Sequence, residues 1–577
     1  MSEQKNLILA IVLSVGIILA FQFFYEMPRL KERQAQQAAQ QAAQTEQTLN
    51  QAAGTTPAGD ANVSVPGTAS GAPVIGRAEA LAQSPRVAID NGALHGSIAL
   101  KGSRIDDVTL ARYHETVDPS SPEIVLLSPP GSPHPYFAEY GWVGGEPSTV
   151  VPGTDTLWSA QGDKLTASSP ITLSWDNGSG LAFKKEVSLD TDYMFTVKRS
   201  VTNTGDKPAT LYPYGLISRW GTPPTMNYYI LQEGPLGVFD NELHEYKYSA
   251  VVKEKEVSFE STGGWLGITD KYWLAAMVPQ QDLSLKANFR HLEEGDRYQT
   301  DFRGPPLVVQ PGQTVEVTDR LFAGAKVVTL LDHYRDEYKI PLFDRAVDFG
   351  WFYFLTKPIF YLLHFIHSTV GNYGVAILIL TLLVKGAFFP LADKSYRAMA
   401  KMKKLQPEMV KLRERFADDK PRLNQEMMQL YKNEKVNPMA GCLPIIIQIP
   451  VFFSLYKVLF VTIEMRHAPF FGWIKDLSAP DPTSIFNLFG LIPITLPHAL
   501  MIGVWPLVMG VTMWFQQKLN PAPADPTQAK VMSFLPIMFT FLFATFPAGL
   551  VIYWAWNNSL SIGQQWLIMR RLGVKAS

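Results

Sequence analysis

The chain has 577 residues, of which 47% are hydrophobic and 18% are charged, whereas soluble domains carry about 25% charged residues. Its 51 Lys and Arg residues nearly balance its 52 Asp and Glu residues, which excludes the overall positive charge of nucleic-acid-binding proteins. The single cysteine, Cys442, excludes an intramolecular disulfide framework and a cysteine-rich zinc site. The composition predicts several membrane spans together with one large soluble domain.

An uncharged apolar run extends from Asn6 to Tyr25, so we assign residues 1–26 to an N-terminal membrane anchor. As a helix this run is about 30 Å long, which matches the hydrocarbon core of a bilayer. The run ends in bulky aromatic residues, whereas a cleavable signal peptide ends in small ones. Residues 27–80 are rich in Gln, Ala, Pro and Gly and cannot form a core, which predicts a flexible tether.

Residues 81–328 alternate between strand-like segments and Gly, Pro or Asn turns. The segments Ile171–Trp175 and Leu181–Val187 flank a turn at Asp176–Gly180, which predicts a β-hairpin. Strand signals continue over the whole region without a strong amphipathic helix. We therefore expect a large antiparallel β-sandwich.

The motifs of common enzymes are missing from the sequence. No Gly-Lys dipeptide occurs, so there is no Walker A loop to bind a nucleotide. The His-Glu pairs at His114 and His244 lack the second histidine of a zinc-protease helix. We expect neither an enzyme nor a bound cofactor, metal ion or nucleotide.

Residues 329–370 link the predicted sandwich to the membrane. Leu342, Phe343, Ala346 and Val347 recur at helical spacing, and an aromatic run follows from Trp351. This pattern predicts an amphipathic helix at the outer membrane interface. For the first half of the segment, an ordinary linker helix packed on the sandwich is an equal alternative.

Five further spans are predicted in the last third of the chain, because each is apolar and long enough for one crossing. They are residues 371–392, 441–464, 499–519, 531–547 and 549–569. With the anchor they make six transmembrane helices, so the predicted fold class is a multi-pass α-helical membrane protein with a β-sandwich domain.

The positive charges indicate which way these spans run. Residues 393–435 contain 12 Lys or Arg against 7 Asp or Glu, and basic residues also flank the 520–530 loop and occur in the 570–577 tail. Since basic loops remain on the cytoplasmic side, both termini are expected to be cytoplasmic. The sandwich and the 465–498 loop then lie on the exported side.

Residues 393–438 predict a cytoplasmic hairpin of two helices. Methionines recur along one face, with basic residues around them. The candidate contact residues of this hairpin are Met399, Met402, Lys403, Lys404, Met409, Arg413 and Met427. The methionines either form the seam between the two helices or accept varied apolar segments, while the basic face attracts ribosomal RNA or acidic partners.

Polar residues inside the spans identify a candidate groove. Lys385 lies well within its span, with Thr381 one turn away, and a central basic residue costs about 2.5–3.5 kcal/mol on insertion scales. Tyr553, Asn557 and Ser561 form a stripe along the last span, and Gln448 lies in a third span. Snorkelling of the lysine and interhelical hydrogen bonds of the other groups are the alternatives to a hydrated groove.

Apart from Glu464 at the end of the 441–464 span, the five spans of the last third and the Asn6–Tyr25 run contain no Asp or Glu. A proton-coupled pump normally needs an intramembrane carboxylate, so this argues against that function. A second intramembrane lysine, Lys457, lies near the outer end of its span, and snorkelling accounts for it.

Motifs spread in order over about residues 353–572 resemble the YidC-type membrane protein insertases, in the Gram-negative form with a large periplasmic domain. These motifs are Gly371-Asn-Tyr-Gly374, Thr381-Leu-Leu-Val-Lys385-Gly, the Lys/Met-rich hairpin, Lys435-Val-Asn-Pro438, Gly441-Cys-Leu-Pro444, Asp476-Leu-Ser478 and Phe546-Pro-Ala-Gly-Leu550.

The resemblance implies a protein that inserts nascent membrane proteins into the inner membrane, alone or with the Sec translocon, and helps them fold. The ribosome and targeting factors are implied as weak partners of the cytoplasmic loops. In this family a groove open to the cytoplasm and to lipid carries a basic residue, most often Arg, where this chain has Lys385. Thr381 and Tyr553 match positions that contact the passing segment, and Trp554 occupies a position where a second Tyr is common.

The sequence leaves two alternative functions to be considered. A transporter or channel predicts a pore lined from both sides or matching inverted halves, and no such halves are evident. An envelope-assembly scaffold predicts that the function resides in the β-domain.

Overall fold

The computed structural model describes residues 65, 74–226, 231–416, 419–434, 443–490, 492, 501–520 and 526–572. The predicted anchor, nearly all of the tether and the last five residues lie outside the described residues, as do residues 521–525 of the 520–530 loop.

The N-terminal half of the described chain is built from two large sheets. The first has the strand order β14-β17-β18-β11-β5-β3-β2-β1-β7, with β4 beside β3 and β19 beside β11. Its strands are β1 Arg86–Asp90, β2 Leu94–Ala99, β3 Ile105–His114, β4 Glu123–Leu127, β5 Tyr136–Gly144, β7 Lys164–Leu165, β11 Ala209–Trp220, β14 Glu256–Thr262, β17 Ser284–Leu292, β18 Arg297–Arg303 and β19 Leu307–Val309.

The second sheet has the order β13-β12-β15-β16-β20-β10-β9-β8-β6. Its strands are β6 Ser159–Gln161, β8 Ile171–Asp176, β9 Leu181–Leu189, β10 Met194–Asn203, β12 Gly234–Phe239, β13 Glu242–Glu245, β15 Trp265–Thr269, β16 Trp273–Val278 and β20 Thr314–Ala325. The strand pairs are antiparallel except β1 with β7. The predicted antiparallel β-sandwich is therefore confirmed, with one parallel pair at an edge.

The hairpin predicted at 171–187 forms as β8 and β9, with Asp176 opposite Ala182. Its turn depends on Asn177, whose side-chain oxygen accepts hydrogen bonds from the backbone N–H groups of Ser179 and Leu181. Gly178 and Gly180 adopt positive φ angles of 68° and 92°, which glycine reaches without a steric penalty. The local sequence thus specifies this turn.

Three helices belong to the sandwich: α1 Arg77–Leu81, α2 Tyr248–Glu254 and α3 Val328–Glu337. After α3, residues Phe343–Ala346 form a single 3-10 turn in place of the longer helix that the spacing predicts. Phe343 is buried, with its ring 5.3 Å from that of Trp265 on β15. The first half of the linker therefore packs on the sandwich, as the second of the two alternatives predicts.

Eight helices are described from Tyr353 onward, and the first of them forms the second half of the predicted 329–370 linker. They are α4 Tyr353–Val370, α5 Tyr373–Ala387, α6 Phe389–Arg415, α7 Lys420–Asn433, α8 Leu443–Val461, α9 Val504–Leu519, α10 Pro526–Phe543 and α11 Ala548–Arg571. Short 3-10 turns at Ile463–Met465 and Ile485–Gly490 lie between α8 and α9. Buried apolar residues of the sandwich, the linker and these helices form one continuous cluster.

Within the described residues, no single helix combines the length and the hydropathy expected of a membrane span, although α5 and α6 meet that test as a pair bent by 68°. Shorter apolar helices occur at Gln448–Val461 and Ala529–Phe543. The number of spans therefore stays a prediction.

The bend between α5 and α6 falls inside the span predicted at 371–392. Helix α5 ends at Ala387, and α6 begins at Phe389 with Pro390 in its first turn. Proline lacks an N–H group and cannot extend the hydrogen-bond ladder of a preceding helix. The apolar run is therefore shared between two helices, and α6 continues into the first helix of the predicted hairpin.

Candidate functional site

A cavity that is open on one side lies between α4, α5, α6, α8 and α11, and it encloses about 710 Å³ when the solvent space at its mouth is included. Its wall is mostly apolar, with a few polar groups that point inward, as in many ligand-binding cavities. The lining residues are Ile359, Leu380, Thr381, Val384, Lys385, Phe388, Leu391, Ala392, Tyr396, Gln448, Val451, Leu455, Tyr553 and Asn557. Five of the seven predicted groove residues therefore line one cavity, whereas Ser561 and Trp554 are not part of its lining.

Lys385 is the one charged residue in this lining. Its Nζ donates a hydrogen bond to Ser561 Oγ on α11, over a distance of 2.7 Å. Across the described part of the chain, no carboxylate lies within ion-pair distance of this ammonium group. A cation held in a largely apolar wall without a counter-charge is available to an incoming negative or polar group.

A second hydrogen bond links α8 to α11 across the cavity. Gln448 Nε2 donates to Asn557 Oδ1 at 3.1 Å, and Ser561 Oγ donates to the backbone oxygen of Asn557 at 2.8 Å. Asn557, Ser561 and Tyr553 are all buried. Thr381 also lines the cavity, but its hydroxyl donates to the backbone oxygen of Ile377 in its own helix at 2.6 Å.

Helical spacing explains which residues of α11 face the cavity. Tyr553, Asn557 and Ser561 follow one another at intervals of four and lie on one face. Trp554, which we predicted with them, is turned by about 100° and is not in the cavity lining. Its ring centroid is 4.4 Å from that of Phe452 and 4.6 Å from that of Phe543, so it packs in an aromatic cluster behind the cavity wall.

Sequence reasoning missed Tyr396, which lines the cavity from α6. Lys385 and Tyr396 lie on different helices that meet at a bend of 68°, so helical periodicity did not connect them. The predicted span also ended at 392, which assigned Tyr396 to the predicted hairpin. The apolar wall residues Ile359, Val451 and Leu455 carried no signal in the sequence.

The two helices of the predicted hairpin, α6 and α7, pack against each other. Met399, Met402, Met409 and Met427 are half-buried, and the Tyr431 hydroxyl lies 3.9 Å from Met409 Sδ. Lys403 and Arg413 are half-buried, whereas Lys404 is exposed and donates to the backbone oxygen of Leu572 at 3.3 Å. The methionine stripe therefore contributes to the seam while leaving part of its surface accessible.

Metal ligands are not clustered in the described ranges, where no three His, Cys, Asp or Glu side chains could hold an ion together. The chemistry that this site offers is therefore that of one ammonium group, hydroxyl and amide groups, and an apolar wall.

Two family models together match most of the chain. The YidC periplasmic domain matches residues 86–362, and the 60Kd inner membrane protein matches residues 365–575. A crystal structure of an active YidC insertase with its first transmembrane domain resolved is 17% identical. That similarity covers 83% of this chain and 91% of the other, with a TM-score of 0.35.

Curated relatives match over the full length. The membrane protein insertase YidC of Methylobacterium sp. (strain 4-46) is 54% identical over 601 residues, which cover 100% of this chain and 96% of the relative. The insertase of the same name from Beijerinckia indica is 54% identical over 591 residues, covering 99% and 97%. The chain belongs to the YidC family of membrane protein insertases.

Proposed function

We propose that this chain inserts nascent membrane proteins into the inner membrane through the cavity around Lys385. The observation that carries the proposal is the half-buried Lys385, the single cation of the lining, which donates a hydrogen bond to Ser561 and has no carboxylate partner among the described residues. Thr381, Gln448, Tyr553 and Asn557 surround it as the contact surface for the passing segment.

The cavity lowers the cost of bringing a polar segment into the membrane. An acidic or polar leading segment that leaves water loses its hydration, and the Lys385 ammonium group offsets part of that loss. The following hydrophobic helix then moves along the Tyr553 face into lipid. Burial of its apolar surface supplies the driving force, at about 25 cal/mol per Å², so no nucleotide is required.

The arrangement in the membrane follows from charge and hydropathy. We propose six spans, namely the anchor and residues 371–392, 441–464, 499–519, 531–547 and 549–569. The basic hairpin and both termini face the cytoplasm, and the sandwich faces the periplasm. The bend between α5 and α6 is then the place where the chain leaves the bilayer on the cytoplasmic side.

The cytoplasmic hairpin is the proposed first contact for clients. Half-buried methionines offer adaptable apolar surface, and the surrounding lysines and arginines attract acidic partners and ribosomal RNA. The ribosome, targeting factors and the Sec translocon are partners in this proposal.

Site-specific photocrosslinking to stalled nascent chains of a small membrane protein tests the site. Probes at Thr381 and Tyr553 are expected to crosslink the hydrophobic segment of the client. A probe at Leu382, which is 55% exposed next to Thr381 on α5, is the matched control and is expected to crosslink lipid. Lys385→Glu is expected to block insertion, because the cation that attracts the polar segment becomes an anion.

Depletion of the protein in cells completes this experiment. Equal client crosslinking at Leu382 and Tyr553 contradicts the proposed site. Client insertion that persists after depletion contradicts the proposed function for that client.

A further inference from the structure

The segment between the sandwich and α4, residues 328–350, presents three carboxylates to lysines of two different helices. We refer to this segment as the connector. It consists of α3, the 3-10 turn at Phe343–Ala346 and the residues up to Gly350.

The first set of contacts joins the connector to α4. Lys357 Nζ lies 2.5 Å from Asp332 Oδ1 and 2.7 Å from Asp344 Oδ2. Two tyrosines of the same helix face, Tyr353 and Tyr361, donate their hydroxyl protons to Asp344 and Asp332, respectively. The lysine and both carboxylates have side-chain exposures between 4% and 13%. One face of α4 is therefore held to the connector by buried charge-assisted bonds.

The second set joins the connector to the outer part of α8. Lys457 Nζ lies 2.8 Å from Asp348 Oδ2, with side-chain exposures of 12% and 18%. Just beyond α8, Glu464 Oε1 accepts a hydrogen bond from the backbone N–H of Val328, the first residue of the connector, at 3.2 Å. Snorkelling to the interface accounts for Lys457 in the sequence, but the structure gives it a specific carboxylate partner.

Both lysines lie on the far side of helices that form the cavity wall. Lys457 follows Gln448 by nine residues, which is two and a half turns, so the two side chains leave α8 in opposite directions. Lys357 and the lining residue Ile359 are two residues apart on α4 and also point apart. Each helix thus presents one face to the cavity and the opposite face to the connector.

We propose that the connector is a bracket that sets the spacing of α4 and α8, and thereby the width of the cavity, with Asp348 and Lys457 as positioning residues for insertion. Helices α4 and α8 pack against each other, and the connector bridges them through pairs that are poorly accessible to water and weakly screened. The bracket rests on the proposed function, since its effect on insertion requires the cavity to be the working site.

Charge reversal in the full-length protein tests the bracket. Spin labels at Phe365 on α4 and Phe453 on α8, which are 68% and 45% exposed, report the helix spacing after Cys442→Ser removes the single native cysteine. Asp348→Lys places two cations together and is expected to lengthen the label distance. It is also expected to lower insertion into proteoliposomes by about tenfold or more, because removing one partner of a half-buried pair leaves an uncompensated charge that is poorly hydrated.

The double variant that exchanges the two charges is the decisive measurement, because it restores an ion pair between positions 348 and 457. Asp348→Lys combined with Lys457→Asp is expected to restore most of the distance and of the insertion. The hydrogen bonds that Asp348 accepts from the backbone N–H groups of Gln232 and Gly350 stay lost. Glu316→Lys is the matched control, because Glu316 pairs with Lys198 at 2.8 Å on the sandwich, where both side chains are 46% exposed. This control is expected to leave both readouts at wild-type values.

Three results overturn the bracket: a longer distance with unchanged insertion, a loss of insertion with unchanged distance, or no rescue by the reversed pair. If Asp348→Lys does not accumulate, Asp348→Asn with Lys457→Met removes the ion pair without repulsion, and an unchanged distance again overturns the bracket. The absence of client crosslinks at Thr381 in the wild-type protein contradicts the proposed function alone, because the label distance is measured without a client.

Discussion

Lys185 allows a quantitative prediction, because it is a basic residue buried inside the sandwich, and no carboxylate of the described residues lies within hydrogen-bond distance of its Nζ. It lies on β9, is 4% exposed, and its Nζ donates to the backbone oxygen of Tyr140 at 2.7 Å and to the hydroxyl of Ser103. Burial, and to a smaller extent the charge of Arg199, lowers the pKa of Lys185 to about 7.

Because the pKa of Lys185 is lowered in the folded protein, the free energy by which this lysine disfavours folding depends on pH. The unfolded chain binds a proton at Lys185 up to a pH near 10.5, whereas the folded protein releases it near 7, so stability rises with pH between these values. At pH 6 the lysine is charged in both states and disfavours folding by about 5 kcal/mol, and at pH 9 by about 2 kcal/mol. Lys185→Met removes both penalties.

We therefore expect Lys185→Met to raise the free energy of unfolding at pH 6 by about 3 kcal/mol more than it does at pH 9. Changes that do not depend on the charge of residue 185, such as altered packing, are the same at both pH values and cancel in this difference. Pulse proteolysis of the sandwich in urea, on the purified full-length protein in detergent, measures it.

The exposed neighbour Lys184 supplies the control. Lys184→Met is expected to change the unfolding free energy equally at pH 6 and pH 9. If Lys185→Met also shifts stability equally at both pH values, the buried lysine does not change its charge as argued, and the reasoning is refuted.

Three further predictions concern other buried contacts. Asp319→Asn leaves Arg199 buried without its carboxylate, since both side chains are 1% exposed; pulse proteolysis is expected to show a loss of about 3–5 kcal/mol, and a loss well below that range contradicts it. Trp554→Ala is expected to lower the thermal stability of the helices while client crosslinking in the cavity persists, because the ring packs behind the wall; abolished crosslinking places Trp554 in the client path instead. Asp481→Ala removes the carboxylate that accepts a hydrogen bond from the Trp505 backbone N–H in the first turn of α9. Faster hydrogen exchange in that turn is the expected result, at a cost similar to the loss of a helix cap, about 0.5–2 kcal/mol; unchanged exchange shows that this hydrogen bond is dispensable.

Local sequence patterns determined several elements of this protein. The alternation at 171–187, with Asn177 and two glycines between the strands, specifies the β8–β9 hairpin because a turn and its register are short-range properties. The helical spacing of Tyr553, Asn557 and Ser561 defines one face of α11 for the same reason. Lys385 stood out because a cation inside an apolar run is costly unless it faces polar surroundings.

Patterns of this kind identify a buried face but not the partner that buries it. The linker at 342–347 shows this limit, because the same apolar residues suit a membrane interface or a sandwich surface equally. Only the position of Trp265, brought there by the second sheet, shows that Phe343 packs on the sandwich. Tyr396 lies on α6 beyond the bend and lines the cavity, although the sequence pattern assigned it only to the predicted hairpin.

The sequence by itself determined the sandwich, the helical region, the family and the lysine at the candidate site. Tertiary structure alone decided that Lys385 meets Ser561, 176 residues away, and that Lys457 meets Asp348, 109 residues away. Such pairs depend on how whole helices pack. Local periodicity shows which face of a helix a residue lies on, but it does not identify the distant residue that the side chain contacts.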